Sequence, residues 1–188
     1  SLSKTIYSEA QRLSDLATTF LDLARLESGR VSFKPSDFSL QELVNETINI
    51  LNHRLEQLSI NTIIDIPNEF PNLHADRDKI KQVLLNLFTN AMKYNKPGGN
   101  ISLKAVELTD HYEVSVSDDG IGMAPEVVVH LFEKFYRAKP TEDSISGTGL
   151  GLSICKTIIE SHNGKISVQS KQGSGSKFTF QLPKKVIV

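Results

Sequence analysis

The chain has 188 residues, 39% hydrophobic and 23% charged, with a formal net charge of -1. That balance fits an ordinary globular chain with room for one good-sized domain plus an appendage, and the missing basic surplus argues against nucleic acid as a main partner. One cysteine, Cys155, rules out an internal disulfide; no apolar run is long enough to span a bilayer and no signal peptide is visible, so the expected location is the cytosol.

Residues 2–27 contain neither Gly nor Pro and read as one amphipathic helix. Ile6, Leu13 and Phe20 repeat every seven residues, with Leu16 and Leu23 at the companion position beside Ala10, Ala17 and Ala24. Such a stripe wants a partner helix, and packing on its own domain is the alternative. The inter-helix seam is favoured because Gly29 ends the helix and Pro35 follows, which reads as a boundary between residues 1–29 and 30–188. A chain that opens inside a helix reads as a piece of something longer.

Ser39-Leu-Gln-Glu42 has the capping-box pattern and opens a helix to about residue 58. Residues 60–66 read as a strand bounded by Pro67. Asp76 can cap the next helix, which runs to about Tyr94 and is stopped by Pro97-Gly98-Gly99. Residues 101–108 and 112–117 alternate as strands joined at Thr109-Asp110-His111. An irregular stretch with a short helix follows to residue 146, and its segment 138–148 has the polar, small-residue composition of a mobile lid. Residues 149–161 read as a helix, and 165–170 and 177–182 as two strands around a Gly-rich turn. The predicted class is α+β: a two-layer sandwich with helices on one face of a mixed, mainly antiparallel sheet, preceded by the long helix.

On the helix after Asp76, Ile80, Val83, Leu84, Leu87 and Ala91 form a core-facing stripe, while Asn86, Asn90 and Lys93 share another face. A solvated polar face is one reading of that trio. The other is a metal and phosphate site, since an amide oxygen is a hard ligand suited to magnesium and a lysine neutralises phosphate. Tyr94 adds an aromatic plane suited to a purine. Asp118-Asp-Gly-Ile-Gly122 follows a strand and is either a plain turn or a base-recognition element. In the second reading Asp118 accepts from the exocyclic amine of adenine, where guanine has a carbonyl, and Gly120 and Gly122 admit the ring. Gly147-Thr-Gly-Leu-Gly-Leu152 opens a helix, as a hinge or as a phosphate cradle of backbone amides. It has neither the Lys-Ser/Thr ending of a P-loop nor the spacing of a dinucleotide turn. Gly173-Ser-Gly175 alone reads best as a hairpin turn.

Together, Asn86-Leu-Phe-Thr-Asn90-Ala-Met-Lys93-Tyr94, Asp118-Asp-Gly-Ile-Gly122-Met, Leu131-Phe-Glu-Lys-Phe-Tyr-Arg137, Gly147-Thr-Gly-Leu-Gly151-Leu152 and Gly173-Ser-Gly-Ser-Lys-Phe178 resemble the N, G1, F, G2 and G3 boxes of bacterial sensor histidine kinases. These belong to the GHKL superfamily of ATPases. The resemblance covers essentially the whole chain, with Leu21-Asp-Leu-Ala-Arg-Leu-Glu-Ser-Gly29 similar to the end of the second helix of that family's dimerisation and phosphotransfer domain. It implies ATP and magnesium as cofactors, with Asn90 as metal ligand, Asn86 near the phosphates, Lys93 on phosphate and Tyr94 packed on adenine. It further implies that Asp118, Gly120 and Gly122 hold the purine. Gly147, Thr148, Gly149, Leu150, Gly151 and Leu152 would wrap the triphosphate. Phe132, Phe135 and Arg137 would couple the lid to the helical domain, with Arg137 also a candidate γ-phosphate contact. The implied partners are a phosphoacceptor-histidine helix and a response-regulator receiver domain, in a homodimeric parent protein.

Three features depart from the family pattern. Asn95 stands where Thr or Ser is frequent, with little expected cost. Asp119 stands where Asn is frequent and adds negative charge that could fall near the phosphates. None of the five histidines (His53, His74, His111, His130 and His162) has the acceptor's following acidic residue and nearby proline, so surface or packing roles are expected for all of them. The acceptor helix is expected before Ser1. Related ATPases of the gyrase B, MutL and heat-shock chaperone type carry a water-activating glutamate on this helix. No Glu lies between Asp76 and Tyr94, which argues against a hydrolase. A non-catalytic nucleotide-sensing or partner-docking module is the remaining alternative.

Overall fold

The computed structural model describes residues 2–29, 31–136 and 148–184. Side-chain caps set where helices α2 and α3 begin. Helix α1 spans Leu2–Glu27 and is closed by Gly29 at φ 67. Strand β1 (Pro35–Phe38) leads into helix α2 (Leu40–Gln57), where the Ser39 hydroxyl accepts from the Glu42 N–H at 3.3 Å. Strands β2 (Asn61–Asp65) and β3 (Leu73–Asp76) precede helix α3 (Arg77–Lys93). Asp76 caps α3 by accepting from Lys79 N–H at 3.1 Å, and its other oxygen accepts from Lys34 N–H at 2.9 Å. Strands β4 (Asn100–Glu107) and β5 (His111–Asp118), helices α4 (Pro125–His130) and α5 (Gly151–Ser161), and strands β6 (Lys165–Ser170) and β7 (Ser176–Pro183) complete the order.

Five strands form one sheet in the order β2-β4-β5-β7-β6, with β2 parallel to β4 and every other pair antiparallel. The mixed, mainly antiparallel sheet matches the predicted class. A second, two-stranded sheet of β1 and β3 was not expected, and Pro35 begins a strand of it rather than only marking a boundary. Alternation along the strands builds the inner face: Ile101, Leu103 and Ala105 of β4 lie beside Tyr112, Val114 and Val116 of β5, which lie beside Phe178, Phe180 and Leu182 of β7. The buried stripes of α3 (Ile80, Val83, Leu84, Leu87) and α5 (Ile154, Ile158, Ile159) complete the core.

Helix α1 divides the two readings of its stripe. Leu23 and Leu26 at its C-terminal end are buried in the core, with α1 packed on α5. Ile6 and Leu13, farther up the same stripe, are 61% and 64% exposed. His162 turns out to be a tether. Its Nε2 accepts from Asp76 N–H at 3.0 Å and its Nδ1 donates to the Ile158 carbonyl at 2.8 Å, with the ring edge-on to Phe33. It thereby fixes the end of α5 to the start of α3.

Candidate nucleotide-binding site

The period of β5 places one carboxylate in the inner row. Tyr112, Val114 and Val116 face the helices, and Asp118 is next at the strand's end. Desolvation there raises its pKa, and the Asp119 charge adds to the rise; the Gly120 and Ser176 N–H groups oppose it. Oδ1 accepts from Gly120 N–H at 2.9 Å. The carboxylate lines a concavity with Ser170, Gly175 and Ser176. The glycines beside it are sterically required. A Cβ on Gly120 would lie 2.2 Å from the Tyr94 carbonyl oxygen, and one on Gly122, at φ 62, would lie 2.0 Å from the Lys171 carbonyl oxygen.

Asp119 points elsewhere. Its oxygens accept from the Asn100 N–H at 2.7 Å and the Asn100 Nδ2 at 2.9 Å, with Lys96 Nζ at 3.8 Å. The Asn100 amide hydrogen bond, above all, holds its pKa below the ordinary range. The charge that could have fallen near phosphate is instead tied to the first residue of β4. Asn95 joins the same frame by donating to the Asn100 carbonyl at 3.1 Å.

On α3, Asn86, Asn90 and Lys93 are all half-buried on the face away from the core stripe. Asn86 Nδ2 donates to the Gly151 carbonyl at 3.4 Å, bringing the asparagine face against the first residue of α5. The Asn90 amide has no hydrogen-bond partner among the described residues. No group of three His, Cys, Asp or Glu side chains suited to a metal occurs among the described residues. A magnesium ion beside Asn90 would therefore draw its other oxygens from phosphates and water, which is how that ion usually binds. Asn86 and Asn90 do not line the concavity at Asp118. The two sides are linked through α3, whose terminal Tyr94 carbonyl accepts from Ile121 N–H at 3.1 Å. Lys93 Nζ rests 5.0 Å from the Tyr94 ring centroid and lines a separate hollow with Arg54 and Lys96. Tyr94 is 40% exposed.

Among the described residues helix α5 has no side-chain cap, which suits the N–H groups of its first turn to an anion. Leu150 N–H is taken by Thr148 Oγ1 at 3.3 Å, and the Leu150 side chain is fully buried. Leu150 therefore anchors the loop, leaving the Gly151, Leu152 and Ser153 N–H groups without a partner among the described residues. Phe135, at φ 61 and 54% exposed, donates its N–H to the Gly149 carbonyl at 3.0 Å and stacks on Phe20 of α1 with centroids 6.1 Å apart. Lys134 pairs with Glu27 of α1 at 2.7 Å, and Phe132 packs edge-on to Phe178. Arg137, Gly147 and nearly all of the 138–148 lid lie outside the described residues.

Sequence reasoning missed Ser170 and Ser176, which meet at 2.9 Å beside Asp118. A signal was present: Ile166, Val168 and Ser170 alternate, so a serine ends an otherwise apolar row, as Asp118 does on β5.

A family model described as "Histidine kinase-, DNA gyrase B-, and HSP90-like ATPase" matches residues 75–186. The chain is 32% identical over 188 residues to the circadian input-output histidine kinase CikA of Synechococcus elongatus, covering 98% of this chain and 25% of that protein. It is 36% identical over 177 residues to the adaptive-response sensory kinase SasA of Thermosynechococcus vestitus, covering 94% and 46%. The chain thus spans a quarter to just under half the length of these curated relatives. Among solved structures, the nucleotide-free catalytic domain of histidine kinase ThkA superposes with a TM-score of 0.71 at 34% identity, covering 80% of this chain and 96% of that one. ThkA in complex with response regulator protein TrrA gives 0.80 at 30% identity, covering 98% and 52%. Full-length ShkA in complex with AMPPNP gives 0.84 at 25% identity, covering 96% and 37%.

Proposed function

Since the chain belongs to the histidine kinase-, DNA gyrase B- and HSP90-like ATPase family, we propose that it is the catalytic ATP-binding region of a sensor histidine kinase. It transfers the ATP γ-phosphoryl group to a histidine on a separate phosphoacceptor helix, for relay to a receiver-domain aspartate of a response regulator. Residues 1–29 are read as the second helix of the dimerisation and phosphotransfer domain and residues 30–188 as the catalytic domain. The expected location is the cytoplasm, and the parent protein is read as a homodimer. No helix among the described residues is long and apolar enough to cross a membrane.

The observation that carries this reading is the placement of Asp118. A half-buried, desolvated carboxylate ends an apolar row with glycine backbone on both flanks. That is a recognition group for an exocyclic amine beside a flat ring. Asp118 selects adenine, Gly120 and Gly122 admit the ring, and Tyr94 covers it. Gly149, Gly151 and Leu152, with Thr148 and the open turn of α5, receive the phosphates, and Asn86 holds that turn against α3. Asn90 is the protein's ligand for magnesium, which when bound neutralises phosphate charge. Lys93, on the same helix face as Asn86 and Asn90, is assigned to phosphate. In the reaction the bond between the γ-phosphorus and the β–γ bridging oxygen breaks, ADP leaves with the electron pair, and a nitrogen–phosphorus bond forms on the acceptor imidazole. The chain's contribution is positioning and charge stabilisation, and the nucleophile comes from the acceptor.

Helix α3 has no Glu, and its one acid, Asp78, lies exposed in the first turn, so hydrolysis is the weaker reading. The chain, labelled ATP, magnesium and a purified acceptor-histidine domain are incubated together. An acid-labile phosphoprotein is the expected product. Release of free phosphate alone would support the ATPase reading instead.

A further inference from the structure

We propose that Ser170 is a positioning residue that sets the gap between the two turns flanking the purine, and that its hydroxyl supports discrimination of adenine from guanine nucleotides. The inference rests on the nucleotide reading above.

A serine hydroxyl has one proton and two acceptor sites. Ser170 uses all three. Its proton goes to the Gly175 carbonyl at 3.0 Å, and it accepts from Met123 N–H at 2.8 Å. Its third contact, to Ser176 Oγ at 2.9 Å, must then be donated by Ser176. These three partners lie on different segments. Met123 follows the Asp118–Gly122 turn, Gly175 closes the Gly173–Gly175 turn, and Ser176 is paired with Asp118 in the β5–β7 ladder. One half-buried oxygen therefore pins the end of β6 to both turns.

The backbone around it depends on the same gap. Gly173 N–H donates to the Ile121 carbonyl at 2.7 Å, and Gly122 passes so close under Lys171 that a methyl group does not fit. Ser176 N–H also feeds the Asp118 carboxylate. Losing the Ser170 hydroxyl leaves Met123 N–H and the Ser176 hydroxyl without their partner, and the turns can then move independently. A site selects by hydrogen bonding only while its polar groups are held where the wrong ligand leaves them unpaired. A looser gap lets Asp118 escape the guanine carbonyl it should repel.

The test compares the parent chain with Ser170→Ala and Ser170→Thr by calorimetric titration with ATP and with GTP, alongside thermal unfolding of each. Ser170→Ala is expected to lose about 3- to 10-fold in ATP affinity, the scale of one net hydrogen bond, with a smaller change for GTP, so the ATP-to-GTP preference shrinks. Ser170→Thr keeps the hydroxyl and should restore the preference. A purely structural serine would lower the unfolding temperature without moving that ratio. A folded Ser170→Ala protein with the parent's ATP-to-GTP ratio overturns the proposal. If Ser170→Ala does not fold, an unchanged ratio in a folded Ser170→Cys, whose thiol is only a weak donor and acceptor, overturns it equally. A parent chain that binds no ATP contradicts the functional reading itself, a result distinct from a parent that binds ATP and a variant that matches it.

Discussion

Asp118 ends the inner-facing row of β5, after the buried Tyr112, Val114 and Val116, so its ionised form is kept at a cost to the fold. Its pKa is raised above the ordinary 3.8, so between that value and the raised one the folded chain holds a proton that the unfolded chain has released. The cost is therefore absent at low pH and fully present once pH exceeds the raised value. At pH 7, Asp118→Asn should unfold at the same temperature as the parent or higher, and the difference should close as the pH falls to about 4, read by thermal denaturation at stepped pH. A variant less stable than the parent at pH 7 contradicts this account of the strand end. The glycines give a second contrast. Gly122→Ala meets both an unfavourable φ of 62 and the Lys171 carbonyl, whereas Gly173→Ala, at φ 77, meets nothing within 4 Å. Gly173→Ala should cost about 1 kcal/mol and Gly122→Ala at least twice that, measured by urea denaturation. The placement of Asp118 and these glycines was legible because it follows from residue type at a strand end. The roles of Asp119 and Ser170 were not, since only the packed structure shows that Asn100 claims one and that three segments meet at the other.

Among the elements, the helices declared themselves through caps and periodicity. Ser39 and Asp76 cap α2 and α3 as their sequences predict. The β1–β3 pair escaped notice because two strands of four residues each are too short to show alternation. The parallel pairing of β2 with β4 is a long-range choice that no local pattern encodes. Helix α1 carries a stripe whose two ends have different fates, and mutation should separate them. Leu23→Ala, at a fully packed position, should destabilise the chain by about 2–4 kcal/mol. Leu13→Ala, at 64% exposure, should change stability by less than about 0.5 kcal/mol. Both are read from denaturant midpoints of the chain at low concentration. Equal losses at the two positions would mean that the upper stripe is packed on its own domain after all. The Phe20–Phe135 stack and the Lys134–Glu27 pair join α1 to the segment whose Phe135 N–H holds the Gly149 carbonyl, so movement of α1 has a physical route to the start of α5.

Over the whole molecule, the sheet and its helices bring together segments far apart in sequence. Asp118 is at the end of β5, the asparagine face is on α3 and the open amides are at the start of α5. The fold class could be read from the order of elements, but the meeting of Asn86 with Gly151 could not, because it depends on how α3 and α5 cross. The central claim is that one carboxylate chooses the base and the asparagine face serves its phosphates. Titration of the parent chain and of Asp118→Asn with ATP in the presence of magnesium tests this most directly. The parent should bind ATP with a clear preference over GTP. Asp118→Asn, still folded, should lose at least about tenfold in ATP affinity, the scale of a hydrogen bond to a charged group. ATP affinity equal in the two proteins would contradict the account.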